Sequence, residues 1–195
     1  MTNENFHIYV FSNARAGLYR TLLSIWKLET RPSRITILTG QGMTPEIKKS
    51  IFTVSEDTSD FGPDLQVHET RTNHQEEILS YSRASNFQFS GFISERDMFL
   101  PNYSELIDED VQLKASNVFP YHQRMKFGNS KVILPKNRAS TPLSATILSR
   151  DFILTSFLNT NLSVNLELLS HQPQNLIEGS PRVIVQSNIR SAFDL

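Results

Sequence analysis

Short apolar bursts alternate with polar stretches of helical period along most of the chain. His7 to Phe11 (HIYVF) predicts a short buried strand. Leu18, Leu22, Ile25, Trp26 and Glu29 then fall at helical spacing, all but the last apolar, and Pro32 marks the end of that predicted helix. Arg34 to Thr39 (RITILT) predicts a second strand, β-branched and flanked by Pro32 and the loop GQG. Thr44-Pro45-Glu46 has the form of a helix start, with Thr44 as N-cap and Pro45 in the first turn. Asp64 to Thr70 alternates as a third strand. Asn73 can cap a helix through Gln75, Ile78, Leu79 and Ala84, and Phe87 to Ile93 predicts a fourth strand.

Beyond Asp110 the pattern weakens. Val132 to Leu134, Ala145 to Leu148 and Arg182 to Gln186 read as further strands, some of them antiparallel. Phe152 to Leu158 and Leu162 to Leu169 read as helices. Strands alternating with helices imply right-handed crossovers and a mainly parallel sheet covered on both faces. Such sheets bind ligands at the carboxyl ends of their strands, so the loops after Phe11, Thr39 and Ile93 are expected to line one crevice.

Composition narrows this picture. The 195 residues suit one domain, and 38% hydrophobic residues are ordinary for a soluble fold. There is no cysteine, which excludes disulfides, thiolate zinc sites and cysteine nucleophiles. The start MTNENFHIYV is too polar for a signal peptide, and no apolar run approaches the roughly 20 residues that cross a bilayer. A cytoplasmic protein is the resulting expectation. The five histidines, at 7, 68, 74, 122 and 171, lack metal-ligand spacing, and there is no Walker loop or dinucleotide fingerprint.

The net charge is −1, but the charges are segregated. Glu95, Asp97, Glu105, Asp108, Glu109 and Asp110 form an acidic block. From Val111 to Arg150 there is no Asp or Glu, while Lys114, Arg124, Lys126, Lys131, Lys136, Arg138 and Arg150 accumulate beside His122. That segment reads either as a solvated basic loop region or as a surface for an anion, a diphosphate or a polyanionic acceptor such as DNA.

Four segments in order resemble family 2 glycosyltransferases. In LYRTLLSIWKLETRPSRITILTGQG, the residues Leu18, Thr21, Leu22, Ser24, Ile25, Thr30 and Pro32 match the family's L-x-x-T-L-x-S-L helix and T-x-P turn. In FISERDMFLPNYSELI, Asp97, Leu100, Pro101, Asn102 and Tyr103 match a segment in which a strand ends L-D-x-D-D and runs on to L-x-P-N-Y. LSATILSRDFI is similar to the acceptor-side strand, and NLELLSH to a helix that begins with Asp in the family. The resemblance spans about Ile8 to His171. It implies a GT-A fold in a single domain over 1–195, α/β with a mainly parallel sheet and helices on both faces.

The resemblance also implies site positions, and several are chemically altered. The nucleobase-binding aspartate of the family falls at Thr39 or Gly40, and its metal-binding aspartates fall at Ser94 and Arg96, leaving Asp97. Its catalytic base falls at Asn165, which cannot take a proton; Glu167 or His171 would have to. Asn13 and Arg15 stand near the family's Asn-Arg pair, with turn formation by Asn13 an equal reading. Asn13, Arg15, Thr39, Gly40, Ser94 and Glu95 are thus nucleotide-binding candidates, and Arg96, Asp97, Glu167 and His171 catalytic ones. Arg96 stands where a cation would bind and can itself supply positive charge to a leaving diphosphate. No metal is required on this reading, and manganese or magnesium is expected only if Asp97 and Glu95 suffice to hold it.

Two functions stay open. One is a divergent glycosyltransferase moving a sugar from a nucleotide-diphosphate donor to an unknown, anionic acceptor, a nucleic acid or glycan. The other is a non-catalytic GT-A-like protein that binds a nucleotide, glycan or protein partner.

Overall fold

A computed structural model describes residues 2–13, 17–58, 62–70, 74–95, 97–99, 117–126, 129–133, 147–156 and 176–188. The first half alternates strand and helix: β1 (Thr2–Ser12), α1 (Leu18–Trp26), β2 (Arg31–Thr39), α2 (Pro45–Asp57), β3 (Asp64–Glu69), α3 (His74–Ala84) and β4 (Phe89–Ser94). The second half is mostly strand: β5 (Met98–Phe99), β6 (Asn117–Lys126), β7 (Asn129–Ile133), β8 (Ile147–Ser149), α4 (Arg150–Ser156) and β9 (Leu176–Asn188). All strands join one sheet in the order β3-β2-β1-β4-β8-β6-β9-β5, with β7 paired to β6.

The β3-β2-β1-β4 portion is parallel throughout, as the strand–helix alternation predicts. β8 enters antiparallel beside β4, and β6 antiparallel beside β8. β4 and β5 are separated in sequence only by Glu95–Asp97, yet β8, β6 and β9 lie between them in the sheet. Laid flat, four interstrand steps span about 19 Å. The chain from Ser94 to Met98 reaches at most about 14 Å. The sheet must therefore curl, and the acidic turn after β4 sits at the joint.

Strand alternation separates two cores. Phe6, Ile8 and Val10 of β1 pack with Leu18, Leu22, Ile25 and Trp26 of α1 and Ile47 and Val54 of α2. Tyr9 and Phe11 face the other way, toward Ile78 and Leu79 of α3 and Ile153 of α4. Each of these side chains is nearly inaccessible, and burying one contributes about 1.5–3 kcal/mol. Gly91 in β4 leaves room for Phe6: a Cβ there would lie 2.9 Å from the Phe6 ring.

Three sequence expectations change. The first helix stops at Trp26, so Glu29 lies beyond it and Pro32 lies inside β2, paired with Asn3, rather than ending the helix. The basic segment is not a loop region throughout: Asn117–Lys126 and Asn129–Ile133 are strands. Finally, β9 runs from Leu176 to Asn188, well beyond Arg182–Gln186. Thr44 does cap α2, accepting the Ile47 N–H at 3.3 Å, with Pro45 in the first turn. Asn73 and the helix expected over Leu162–Leu169 lie outside the described residues.

Candidate functional site

The carboxyl ends of β3, β2, β1 and β4 lie side by side. Thr39 pairs with Glu69 on one side and with Ser12 on the other. Phe11 pairs with Ser94, and the Glu95 N–H extends that ladder by donating to the Phe11 carbonyl at 2.8 Å. Paired residues in a parallel ladder share a face. Glu95, Ser12, Thr39 and Glu69 therefore form a row across four strands, two carboxylates bracketing two hydroxyls, on the face that α1 and α2 cover.

Ser12 Oγ donates to Glu95 Oε2 at 2.8 Å. Glu95 is 1% exposed, and that hydrogen bond offsets part of the cost of burying a carboxylate. Thr39 is wholly buried; its Oγ1 accepts the Gln41 N–H at 3.2 Å, and its carbonyl accepts from Thr70 N–H at 2.8 Å. Thr39 thus shapes the turn that carries Gly40. Gly42 follows with φ +64°, and a Cβ there would lie 2.9 Å from Glu69 Oε2. A glycine is needed both for that backbone conformation and for the room the carboxylate occupies. Glu69 and Asn13 are exposed at the carboxyl edge of the sheet.

The turn after β4 is closed by the Asp97 N–H donating to the Ser94 carbonyl at 3.1 Å. Glu95 follows directly after Ser94 in that turn. Ser94 is fully buried on the opposite face from Glu95, with its Oγ on the Glu95 carbonyl at 3.3 Å, so these two nucleotide-binding candidates do not act from one side. Two hydroxyls from α1 hold the turn. Thr21 Oγ1 donates to the Asp97 carbonyl at 2.8 Å, and Ser24 Oγ accepts the Phe99 N–H at 3.1 Å. Residues three apart share a helix face, which is why a T-x-x-S pattern can reach two backbone groups where the turn runs into β5.

The other face carries polar groups of a different kind. His7 is 1% exposed, shares a 2.8 Å hydrogen bond between Nε2 and Thr36 Oγ1, and packs on Tyr9 and Phe87. Burial, with a smaller contribution from the Arg34 guanidinium, lowers its pKa to about 3, so it is neutral at physiological pH. Burial likewise raises the Tyr9 phenol above its usual range. His68 bridges Glu77 Oε2 at 2.8 Å and the Tyr81 hydroxyl at 3.0 Å, tying edge strand β3 to α3. Arg150, one of the cations of the acid-free segment, donates from Nε to the Ser82 carbonyl at 2.7 Å and from Nη2 to the Arg83 carbonyl at 3.4 Å. It caps the carboxyl end of α3 and serves the fold.

The structure thus places Asn13, Thr39, Gly40, Ser94, Glu95 and Asp97 at the carboxyl edge. Arg15, Arg96, Glu167 and His171 lie outside the described residues. Ser12, Glu69, Thr21 and Ser24 escaped the sequence reading as site residues. Ser12 and Glu69 were detectable only through pairing register, whereas the spacing of Thr21 and Ser24 was visible but unexplained. Among the described residues no three His, Asp or Glu side chains gather in metal-ligating geometry. Glu95 and Asp97 are each 1% exposed, and Glu95 accepts from Ser12. Among those residues, too, no helix is long and apolar enough to cross a membrane.

No family model and no curated protein sequence matches the chain. Solved structures do. S. aureus TarS in complex with UDP-GlcNAc superposes with TM-score 0.68 at 9% identity, covering 96% of this chain and 59% of that one. The mannosyltransferase PcManGT from Pyrobaculum calidifontis, in complex with GDP-Man and Mn2+, gives 0.51 at 11% identity over 76% and 45% of the two chains. A 4-diphosphocytidyl-2C-methyl-D-erythritol synthase from Anaerococcus prevotii gives 0.53 at 10% identity over 82% and 78%. The chain thus spans less than two thirds of the TarS and mannosyltransferase chains. At such identities the likeness concerns architecture, and this chain has the α/β fold of GT-A-like nucleotide-sugar transferases.

Proposed function

We propose that the chain is a glycosyltransferase that takes a sugar from a nucleoside-diphosphate donor and passes it to an anionic acceptor without requiring a metal. The observation that carries this reading is the row Glu95–Ser12–Thr39–Glu69 at the carboxyl edge of a GT-A-like sheet. Its exposed end at Glu69 offers an acceptor-only group to ribose hydroxyls or base N–H donors.

The acceptor oxygen attacks the anomeric carbon, the bond from that carbon to the diphosphate oxygen breaks, and the acceptor proton goes to a base, Glu167 or His171. Negative charge grows on the departing diphosphate. Arg96, next to Glu95 in the sequence, supplies the opposing charge. A second reading, a non-catalytic nucleotide binder, is favoured by one observation: the Glu95 carboxylate is buried against Ser12 rather than presented to a ligand.

Turnover of a nucleotide-sugar panel by the full chain, with and without chelator, separates the two. The transferase reading expects activity that survives the chelator and falls about 100-fold or more in Arg96→Ala at unchanged melting temperature. Nucleotide binding without turnover supports the second reading, and chelator-sensitive turnover contradicts the metal-free mechanism.

A further inference from the structure

Register sorts the charges of the β6–β7 ladder onto one face. His122 pairs with Ile133, Gln123 with Val132, Arg124 with Lys131, Met125 with Ser130 and Lys126 with Asn129. Alternation along each strand puts His122, Arg124, Lys126 and Lys131 on one face and Gln123, Met125, Ser130 and Val132 on the other. One face holds three permanent cations and a histidine; the other holds no charge. β9 continues the ladder with Val185 and Ser187 on the basic face, so no acid enters there either.

The same register locates this face. Gly91 of β4 and Val118 of β6 both pair with Ile147 of β8. β4 and β6 run in the same direction, each antiparallel to β8. Four residues on from these partners stand Glu95 and His122. The pairing with β9 shifts register on both sides of Tyr121, and from His122 the basic positions continue through Lys126, about 13 Å further along the strand direction. Two interstrand steps, about 10 Å, separate β6 from β4. The basic hairpin extends past the carboxyl edge beside the donor row.

We infer that this face binds the phosphate backbone of a nucleic-acid strand. Cationic positions along one strand repeat about every 6.8 Å, and Lys131 flanks Arg124 from the neighbouring strand. A lone phosphate can meet only part of that array, whereas a chain with one charge per repeat can meet all of it. Arginine and lysine are the side chains that position such backbones, and attraction of this kind is independent of base sequence. The surface rests on the transferase reading only for its role as the acceptor's seat; the binding needs no donor.

The test uses the full chain, a fluorescently labelled 20-nucleotide single strand and anisotropy over a salt series, with no nucleotide sugar present. Wild type is expected to bind with an affinity that falls steeply with salt. Arg124→Gln/Lys131→Gln should bind at least tenfold more weakly, with a log K versus log salt slope shallower by about 1.4. A Gln123→Ala/Ser130→Ala variant on the opposite face should bind as wild type, and melting curves establish that all variants fold. Absence of binding at low salt, equal losses in both variants, or binding of heparin or polyglutamate but not of the oligonucleotide would overturn the assignment. Oligonucleotide binding by a chain that ignores every nucleotide sugar would leave this surface standing and remove the transferase reading alone.

Discussion

The two faces of the parallel half-sheet treat polar groups differently. On the α3 and α4 face, His7, His68, Glu77, Tyr81 and Arg150 meet one another, Thr36 or backbone carbonyls, and they join strand to helix. On the α1 and α2 face, Ser12, Thr21 and Ser24 lie at the carboxyl edge and converge on one turn after β4. A perturbed, buried titratable group is often a sign of a site. Here the strongly shifted histidine belongs to the structural face, while the turn that matters is held by uncharged hydroxyls. Position along the strand, rather than burial, separates the two.

This contrast predicts that changes on one face alter stability and changes on the other alter ligand response. The largest effect is that of His7. Its folded-state pKa of about 3 lies below the ordinary value of 6.5, so between these limits the unfolded chain binds the extra proton. The stabilisation is complete above pH 6.5 and is lost as pH falls toward 3, by up to about 1.4 kcal/mol per pH unit. Urea midpoints measured from pH 7 to pH 4.5 should fall in wild type, and the His7→Phe variant should show a shallower slope with nucleotide response intact. Equal slopes would remove His7 from this account.

Thr21→Val comes next. It leaves the Asp97 carbonyl without its hydroxyl donor inside the protein, a loss of about 1–3 kcal/mol. Nucleotide affinity should fall further than in a core variant of matched stability such as Ile153→Val, and Thr21→Ser should restore it. A variant that loses stability but binds normally would make the clamp purely structural. The smallest effect belongs to Arg34→Gln. Its 2.8 Å pair with Asp64 is partly exposed and worth under about 1 kcal/mol, so thermal melts should move little and nucleotide response not at all.

The parallel half of the fold was legible because β1, β2 and β4 are rich in buried apolar residues, β3 alternates, and the helices are amphipathic. Thr44 and Pro45 announced a helix start through local chemistry alone. Pro32 misled because a proline can sit in the outer part of a strand as well as at a helix end. β6 was hidden for a related reason: Pro120 interrupts an otherwise strand-like run, and the pairing with β9 shifts register on both sides of Tyr121. The site was less legible than the fold. Ser12 beside Glu95, and Thr39 beside Glu69, are 83 and 30 residues apart in sequence, and only pairing register brings each pair together.

On the transferase reading, a nucleoside diphosphate binds at the exposed Glu69 end of the Glu95–Ser12–Thr39–Glu69 row. The direct measurement is the thermal shift of the full chain with millimolar UDP, GDP, CDP and ADP, repeated in Glu69→Gln on the row and Glu77→Gln on the opposite face. A ligand present at about 100 times its Kd stabilises by about 2.7 kcal/mol. At least one diphosphate is expected to raise Tm by several degrees, with the rise diminished in Glu69→Gln and kept in Glu77→Gln. No shift with any diphosphate, or a shift lost in Glu77→Gln and kept in Glu69→Gln, would contradict it.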